Sequence, residues 1–294
     1  MRRILVTGAS GLLGSKIMAF AGNNLNVIAT HRRFSLSPNS VKLDVTDKAD
    51  TLQIIQETNP DVVVHTAAET NVDKCEIEKE LALKTNVEGT TNVAKACAKI
   101  KVKLVYISTD YIFDGKKGLY TEDDKPNPIN YYGLTKLKGE EFVRKLCEDY
   151  VIARTSVLYG WHPSKTNFVT WIIECLRHRK SINVVYDHYN SPTLADNLAE
   201  VLLEAVDMDF KGIYNIAGSQ RINRYDFAVK IARNFGLDSS LIRPIKMEEL
   251  KVWKAKRPPD SSLCIDKVSK HLKTKLLDID DSLRLMKKTE KKFR

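Results

Sequence analysis

Short aliphatic runs alternate with longer amphipathic stretches through the first half of the chain. Residues 4–7 (Ile-Leu-Val-Thr) are uncharged, the pattern of a strand buried on both faces. This run meets three glycines, Gly8, Gly11 and Gly14, and a helix is predicted from Leu12 to about Ala21. Strands are expected over 26–30, 41–44, 61–65 and 102–107, with helices over 47–57 and 78–100 between them. Residues 114–130, rich in Gly, Pro, Asp and Asn, form a loop, and a helix follows from Tyr131 to about Cys147. The second half is less regular. Helices are expected over 166–179, 194–207, 224–234 and 279–287, with short strands at 182–185 and 212–216. This order predicts an α/β fold: a doubly wound, Rossmann-like parallel sheet with a smaller C-terminal α+β lobe. Residues 1–160 would form the nucleotide-binding domain. Residues 161–294 would form mainly a substrate-binding lobe, with some segments returning to the sheet.

Composition narrows the function classes. The 294 residues, 43% hydrophobic and 29% charged, are ordinary for a globular chain with a sizeable core. No apolar run approaches the ~18 residues needed to span a bilayer, so no membrane association is expected. Met1-Arg2-Arg3 leads into four apolar residues and then the glycine turn, which reads as a first strand and not as a signal peptide. The five cysteines, at 75, 97, 147, 175 and 264, include no C-x-x-C pair. They fit reduced thiols in a cytoplasm and offer no metal site. Of the net charge of +10, the segment from Lys287 to Arg294 holds five positive charges and one negative. The remainder forms no basic stripe, so nucleic acid is not an expected partner and a small anionic substrate is. The end after Leu285 is expected to be frayed.

Candidate chemistry begins at the glycines. A strand, a glycine-rich turn and a helix start are the setting of a dinucleotide site. The helix N–H groups, around Ser10, Leu12 and Leu13, would face a pyrophosphate. His31, Arg32 and Arg33 end the second strand where an adenosine ribose would lie. Two arginines and no acid there favour NADP over NAD, which stays open as the alternative. Asp44 and Val45 would border an adenine, and Thr66, Ala67 and Ala68 would let a cofactor lie flat. His65 ends a buried strand and reads as a packed core histidine. Tyr132 and Lys136 share a helical face after strand five. A hydroxyl at that strand's end, Ser108 or Thr109, would hold a carbonyl against the phenol for hydride transfer.

Thr7-Gly8-x-x-Gly11-x-x-Gly14, Ser108-Thr109-Asp110-Tyr111 and Tyr132-x-x-x-Lys136 together resemble the extended short-chain dehydrogenase/reductase superfamily. Arg154-Thr-Ser-Val-Leu-Tyr-Gly160, Asn167-Phe168, Ser191-Pro-Thr193, Gly212-Ile-Tyr-Asn-Ile-Ala-Gly218 and Arg257-Pro258 sharpen the resemblance to dTDP-4-dehydrorhamnose reductases. The resemblance reaches residue 272 or so. It implies NADPH-dependent reduction of a nucleotide-sugar C4 ketone, with Thr109, Tyr132 and Lys136 catalytic. It also implies cofactor contacts at Asn86 and Thr155, and substrate contacts at Asp110, Tyr111, Val157, Asn167 and Arg257. A homodimer is compatible with it. The regulatory β subunit of methionine adenosyltransferase, an NADP-binding partner protein, is similar too, and an epimerase or dehydratase on another nucleotide sugar is a third candidate. Val157 stands where many bacterial reductases carry tryptophan. Trp161, four residues on, is expected to replace that aromatic wall.

Overall fold

The computed structural model describes residues 2–22, 25–35, 39–208 and 210–290. Seven strands make the central sheet: β1 (Arg3–Thr7), β2 (Asn26–His31), β3 (Val41–Lys42), β4 (Val62–His65), β5 (Lys103–Thr109), β6 (Tyr150–Thr155) and β7 (Gly212–Asn215). Every neighbouring pair is parallel, in the order β7-β6-β5-β4-β1-β2-β3. The chain winds outward in one direction from β1 and in the other from β4. This opens a crevice at the carboxyl ends of those two strands, the place where such sheets bind ligands.

Alternation along β1 explains the two layers beside the sheet. Ile4 and Val6 pack with Val64 against α1 (Leu12–Ala21) and α6 (Ala195–Asp207), through Leu13, Ile17, Leu198 and Leu202. Leu5 and Val63 face the other way, toward α2 (Lys48–Thr58), α3 (Thr90–Ile100) and α4 (Tyr131–Leu146), through Ile55, Val93 and Val143. Each fully buried aliphatic side chain contributes about 1.5–3 kcal/mol. A separate core holds the second-half lobe, where α5 (Phe168–Arg177), α7 (Arg224–Phe235) and α8 (Ile279–Lys288) enclose a strand pair, Ile182–Val185 beside Ile242–Ile245.

Three sequence expectations need correction. The strand β6, absent from the sequence reading, lies between β5 and β7 and carries a buried arginine, Arg154, which disguised it. The single helix expected over 78–100 is a short helix (Lys79–Ala82), a wider π-type turn (Leu83–Gly89) and then α3, preceded by another short helix at Val72–Ile77. The expected fraying after Leu285 does not occur through Glu290: α8 runs to Lys288, and Glu290 is buried and paired with Arg177. The basic residues 291–294 lie outside the described residues. Among the described residues, no helix is long and apolar enough to cross a membrane.

Candidate active site

The glycine turn is shaped by what it must touch. Gly8 has φ +71°, and a Cβ there would stand 2.9 Å from the Ala67 backbone. A Cβ on Gly14 would stand 2.5 Å from the Gly8 carbonyl oxygen, so the helix can approach the turn only without one. Gly11 caps α1 with no side chain accepting from the leading N–H groups, and the first turn holds no acid. Those donors are therefore left for an anion, which fits a dinucleotide pyrophosphate. Ser10 and Leu12 stay half-buried on the turn, while the Leu13 side chain belongs to the core. Thr66 donates its hydroxyl to the Thr7 carbonyl at 2.7 Å, and Ala67 and Ala68 remain half-buried beyond β4.

At the end of β2, His31 Nδ1 meets the Ser40 hydroxyl at 2.7 Å. Arg32 and Arg33 are exposed, and neither forms a hydrogen bond or ion pair among the described residues. Burial works to raise the pKa of Asp44, but two hydrogen bonds from Thr46 and the charges of Arg32 and Lys84 outweigh it and hold the carboxyl low. Val45 is buried, its side chain against Gly89. His65 is a core histidine: Nδ1 lies 2.6 Å from the Thr7 hydroxyl and Nε2 3.1 Å from that of Thr90. Burial, helped by the Lys136 charge, pushes its pKa down to about 3.

The catalytic candidates converge where α4 begins. Asn130 caps this helix by accepting the Gly133 N–H at 2.8 Å. Tyr131 turns toward Glu76 and Lys79, whereas Tyr132 turns inward, its ring edge-on to Tyr111 at 6.1 Å and its phenol against Thr109. Ser108 donates instead to Glu140 at 2.6 Å, and Glu140 holds Arg154 through two bonds of 3.0 and 2.8 Å. Of the two hydroxyls at the end of β5, Thr109 is thus the one facing the phenol. Lys136, 3% exposed, lies with Nζ 4.1 Å from the centre of the Tyr106 ring. Burial, partly offset by Glu140, lowers its pKa to about 7. Burial also raises the Tyr132 pKa above the ordinary tyrosine value.

Asp110 is buried and its carboxylate accepts from Thr109, Ser156 and Ser261, at 3.1, 2.8 and 2.5 Å. Burial nonetheless leaves its pKa raised. Thr155 touches Thr193 at 3.5 Å. Val157 lies half-buried in the following loop with φ +45°, a left-handed conformation that strains a β-branched residue, and its carbonyl accepts the Thr193 N–H.

Four expected ligand contacts have their polar groups committed elsewhere. The Asn86 amide bridges Glu69 and Thr135. The Asn167 side chain caps α5 and donates to the Gly160 carbonyl. Arg257 forms a two-point pair with Asp73. The Trp161 indole donates to the Met286 carbonyl at 2.8 Å and packs edge-on to Phe235, so it is not turned toward Val157 as an aromatic wall. The loop carries it to the helical lobe, where its apolar face finds a core.

Two residues absent from the sequence reading belong to this side of the site, one beside Tyr111 and one joined to it. Arg224, first in α7, stacks its guanidinium over Phe168 at 4.9 Å and interacts with Tyr111 and Asp110. Burial lowers its pKa, and it forms no ion pair within 4.0 Å among the described residues. Following the capping residue Asn223, it looked like an ordinary helix start. His188 is 1% exposed, edge-on to Trp253 at 5.7 Å, and neither ring nitrogen has a hydrogen-bond partner among the described residues. Its closeness to Ser191-Pro-Thr193 was the available signal.

The pattern of the RmlD substrate binding domain matches residues 1–291. Methionine adenosyltransferase 2 subunit beta of Xenopus laevis is 35% identical over 277 residues, covering 92% of this chain and 82% of that protein. The structure of dTDP-4-dehydrorhamnose reductase from Bacillus anthracis in complex with NADP superposes with a TM-score of 0.90 at 31% identity, over 97% of this chain and 98% of that one. A hypothetical dTDP-4-dehydrorhamnose reductase from Sulfolobus tokodaii superposes at 0.86 with 40% identity, over 95% and 98%. With its glycine turn after β1, Thr109 at the end of β5, and Tyr132 and Lys136 on the helix that follows, the chain belongs to the RmlD substrate binding domain family.

Proposed function

We propose that this protein is an NADPH-dependent reductase acting on the C4 ketone of a dTDP-4-dehydro-6-deoxysugar, with dTDP-4-dehydrorhamnose giving dTDP-L-rhamnose. The observation that carries the reading is the inward-facing group of Thr109, Tyr132 and Lys136 beside an uncapped, glycine-led helix start. The uncapped start of α1 suits the cofactor pyrophosphate, and Arg32 and Arg33 suit a ribose 2′-phosphate. NADPH, when bound, supplies hydride. Burial keeps the Tyr132 phenol protonated at neutral pH, the form that a ketone reduction consumes. Tyr132 then gives its Oη proton to the new alkoxide oxygen, which Thr109 positions, while the Lys136 ammonium steadies the phenolate left behind. With a pKa near 7, Lys136 can also return a proton to that phenolate.

The test is oxidation of NADPH by the purified protein with dTDP-4-dehydrorhamnose, followed spectrophotometrically. Turnover is expected, and none with any 4-keto sugar nucleotide would overturn the reading. Replacing Arg32 and Arg33 with Ala should weaken NADPH binding about 10- to 150-fold, through loss of one charge-assisted contact, and leave NADH binding nearly unchanged. Equal losses would reject the 2′-phosphate assignment. The likeness to methionine adenosyltransferase 2 subunit beta favours one other reading, a partner subunit that keeps the nucleotide site. NADPH binding without any sugar reduction would select it.

A further inference from the structure

The Arg224 and His188 neighbourhood is built in a way that the catalytic group is not. A buried polar group without a partner is costly and calls for an explanation. His188 presents two such atoms at 1% exposure. Beside it stands the Arg224 guanidinium, with no ion pair among the described residues. The two are joined through the backbone, the Arg224 N–H donating to the His188 carbonyl at 3.1 Å. Two residues after His188, Asn190 donates to Asp110 at 3.4 Å, next to Thr109. Arg224 reaches Tyr111, whose ring touches that of Tyr132. His188 is thus linked to the catalytic phenol through Arg224 and Tyr111, on the side of the second-half lobe.

The chemistry of the imidazole selects its ligand. Burial and the charges of Arg224 and Arg257 keep the ring neutral. A neutral imidazole offers one N–H donor and one lone-pair acceptor, the complement of a hydroxyl and not of a phosphate. A guanidinium alongside offers only donors, the complement of a phosphoryl oxygen. The Trp253 ring beside His188 adds an apolar face suited to the C–H groups of a sugar. A sugar hydroxyl close to a phosphate satisfies all three.

We propose that His188 is a specificity-determining residue that reads a hydroxyl of the sugar ring, with Arg224 beside it taking the adjoining phosphate. This rests on the nucleotide-sugar reading above. The experiment is calorimetric titration of the NADP-loaded protein with dTDP-L-rhamnose and, separately, with dTDP, which has no sugar. His188→Leu should lose about tenfold or more in dTDP-L-rhamnose affinity, as a buried hydrogen-bond pair is left unmade, with dTDP and NADPH binding within about twofold of the parent. His188→Gln, which restores a donor and an acceptor, should recover most of the loss. Unchanged dTDP-L-rhamnose binding by folded His188→Leu, or equal losses for both ligands, would overturn the proposal. Should the leucine variant not fold, the imidazole nitrogen resonances of the parent decide, assigned by their absence from His188→Gln. They should move on adding dTDP-L-rhamnose and stay put on adding dTDP, and the absence of any sugar-specific shift would reject the role. A parent that binds NADPH but neither thymidine nucleotide would reject the nucleotide-sugar reading and this role with it.

Discussion

Two polar neighbourhoods flank Tyr132, and they are finished differently. On one side, Glu140 accepts from Ser108 and from Nε and Nη2 of Arg154, with the paired Glu140 and Arg154 side chains only 2–3% exposed. Asn86 and His65 are likewise satisfied within the protein. On the other, His188 has no partner for either nitrogen among the described residues, and Arg224 forms no ion pair there. A satisfied buried network holds a shape, whereas an unsatisfied one is costly until a water or a ligand completes it. Asn86, Asn167, Trp161 and Arg257, which the resemblance and the loop spacing put near a ligand, have their polar groups held within the protein as well.

The comparison can be broken at four points. The largest effect belongs to Tyr132, which stands between the two neighbourhoods. Tyr132→Phe should lower turnover about 10²- to 10⁴-fold with NADPH affinity and melting temperature kept. Normal turnover in this variant, with loss in Tyr131→Phe, would put the acid on the wrong tyrosine. Glu140→Ala should act on the scaffold, leaving Arg154 buried and unpaired at a cost of about 3–5 kcal/mol in denaturant unfolding. A variant as stable as the parent would show that this network carries little of the fold.

The third point is pH. His65 has a folded pKa near 3 and an ordinary value near 6.5, so between these pH values the unfolded chain binds the extra proton. Stability is therefore complete above about pH 6.5 and falls as pH drops toward 3, by roughly 4–5 kcal/mol for this one group. Denaturant titrations at several pH values should show the slope, and His65→Gln should reduce it by one proton. An unchanged slope would mean that His65 already carries its proton in the folded protein. The smallest effect separates stability from recognition. Arg224→Met replaces a partly buried charge with an apolar chain of similar length, so the ligand-free melting temperature should hold or rise by a few degrees while dTDP-L-rhamnose affinity falls about 10- to 150-fold. A lower melting temperature with unchanged affinity would return Arg224 to the scaffold.

Much of this molecule could be read from its sequence, and the reason differs by region. The strands β1, β4 and β5 are buried on both faces, so their apolar runs stand out, and the span of α1 agrees with its prediction from Leu12 to Ala21. The strand β6 escaped because Arg154 breaks its apolar run, and only the tertiary partner Glu140 makes an arginine tolerable there. The π-type turn escaped because helical spacing does not show it; within it Asn86 makes long-range contacts to Glu69 and Thr135. Tyr132 and Lys136 could be paired by helical spacing alone. His188 and Arg224 could not, since they meet only when a loop and the start of α7 are brought beside the sheet.

Val157 has a consequence for how such a protein changes over generations. Its left-handed backbone suits glycine or asparagine better than a β-branched side chain, at a strain of about 1–3 kcal/mol. Most positions near a reaction centre lose stability when altered, and each new preference must then be compensated elsewhere. Here the direction is reversed. A change to Asn or Gly relaxes the backbone and reshapes the loop after β6 in the same step, so this position holds mutational slack. A lineage can alter the loop after β6 through residue 157 without first acquiring a stabilising change.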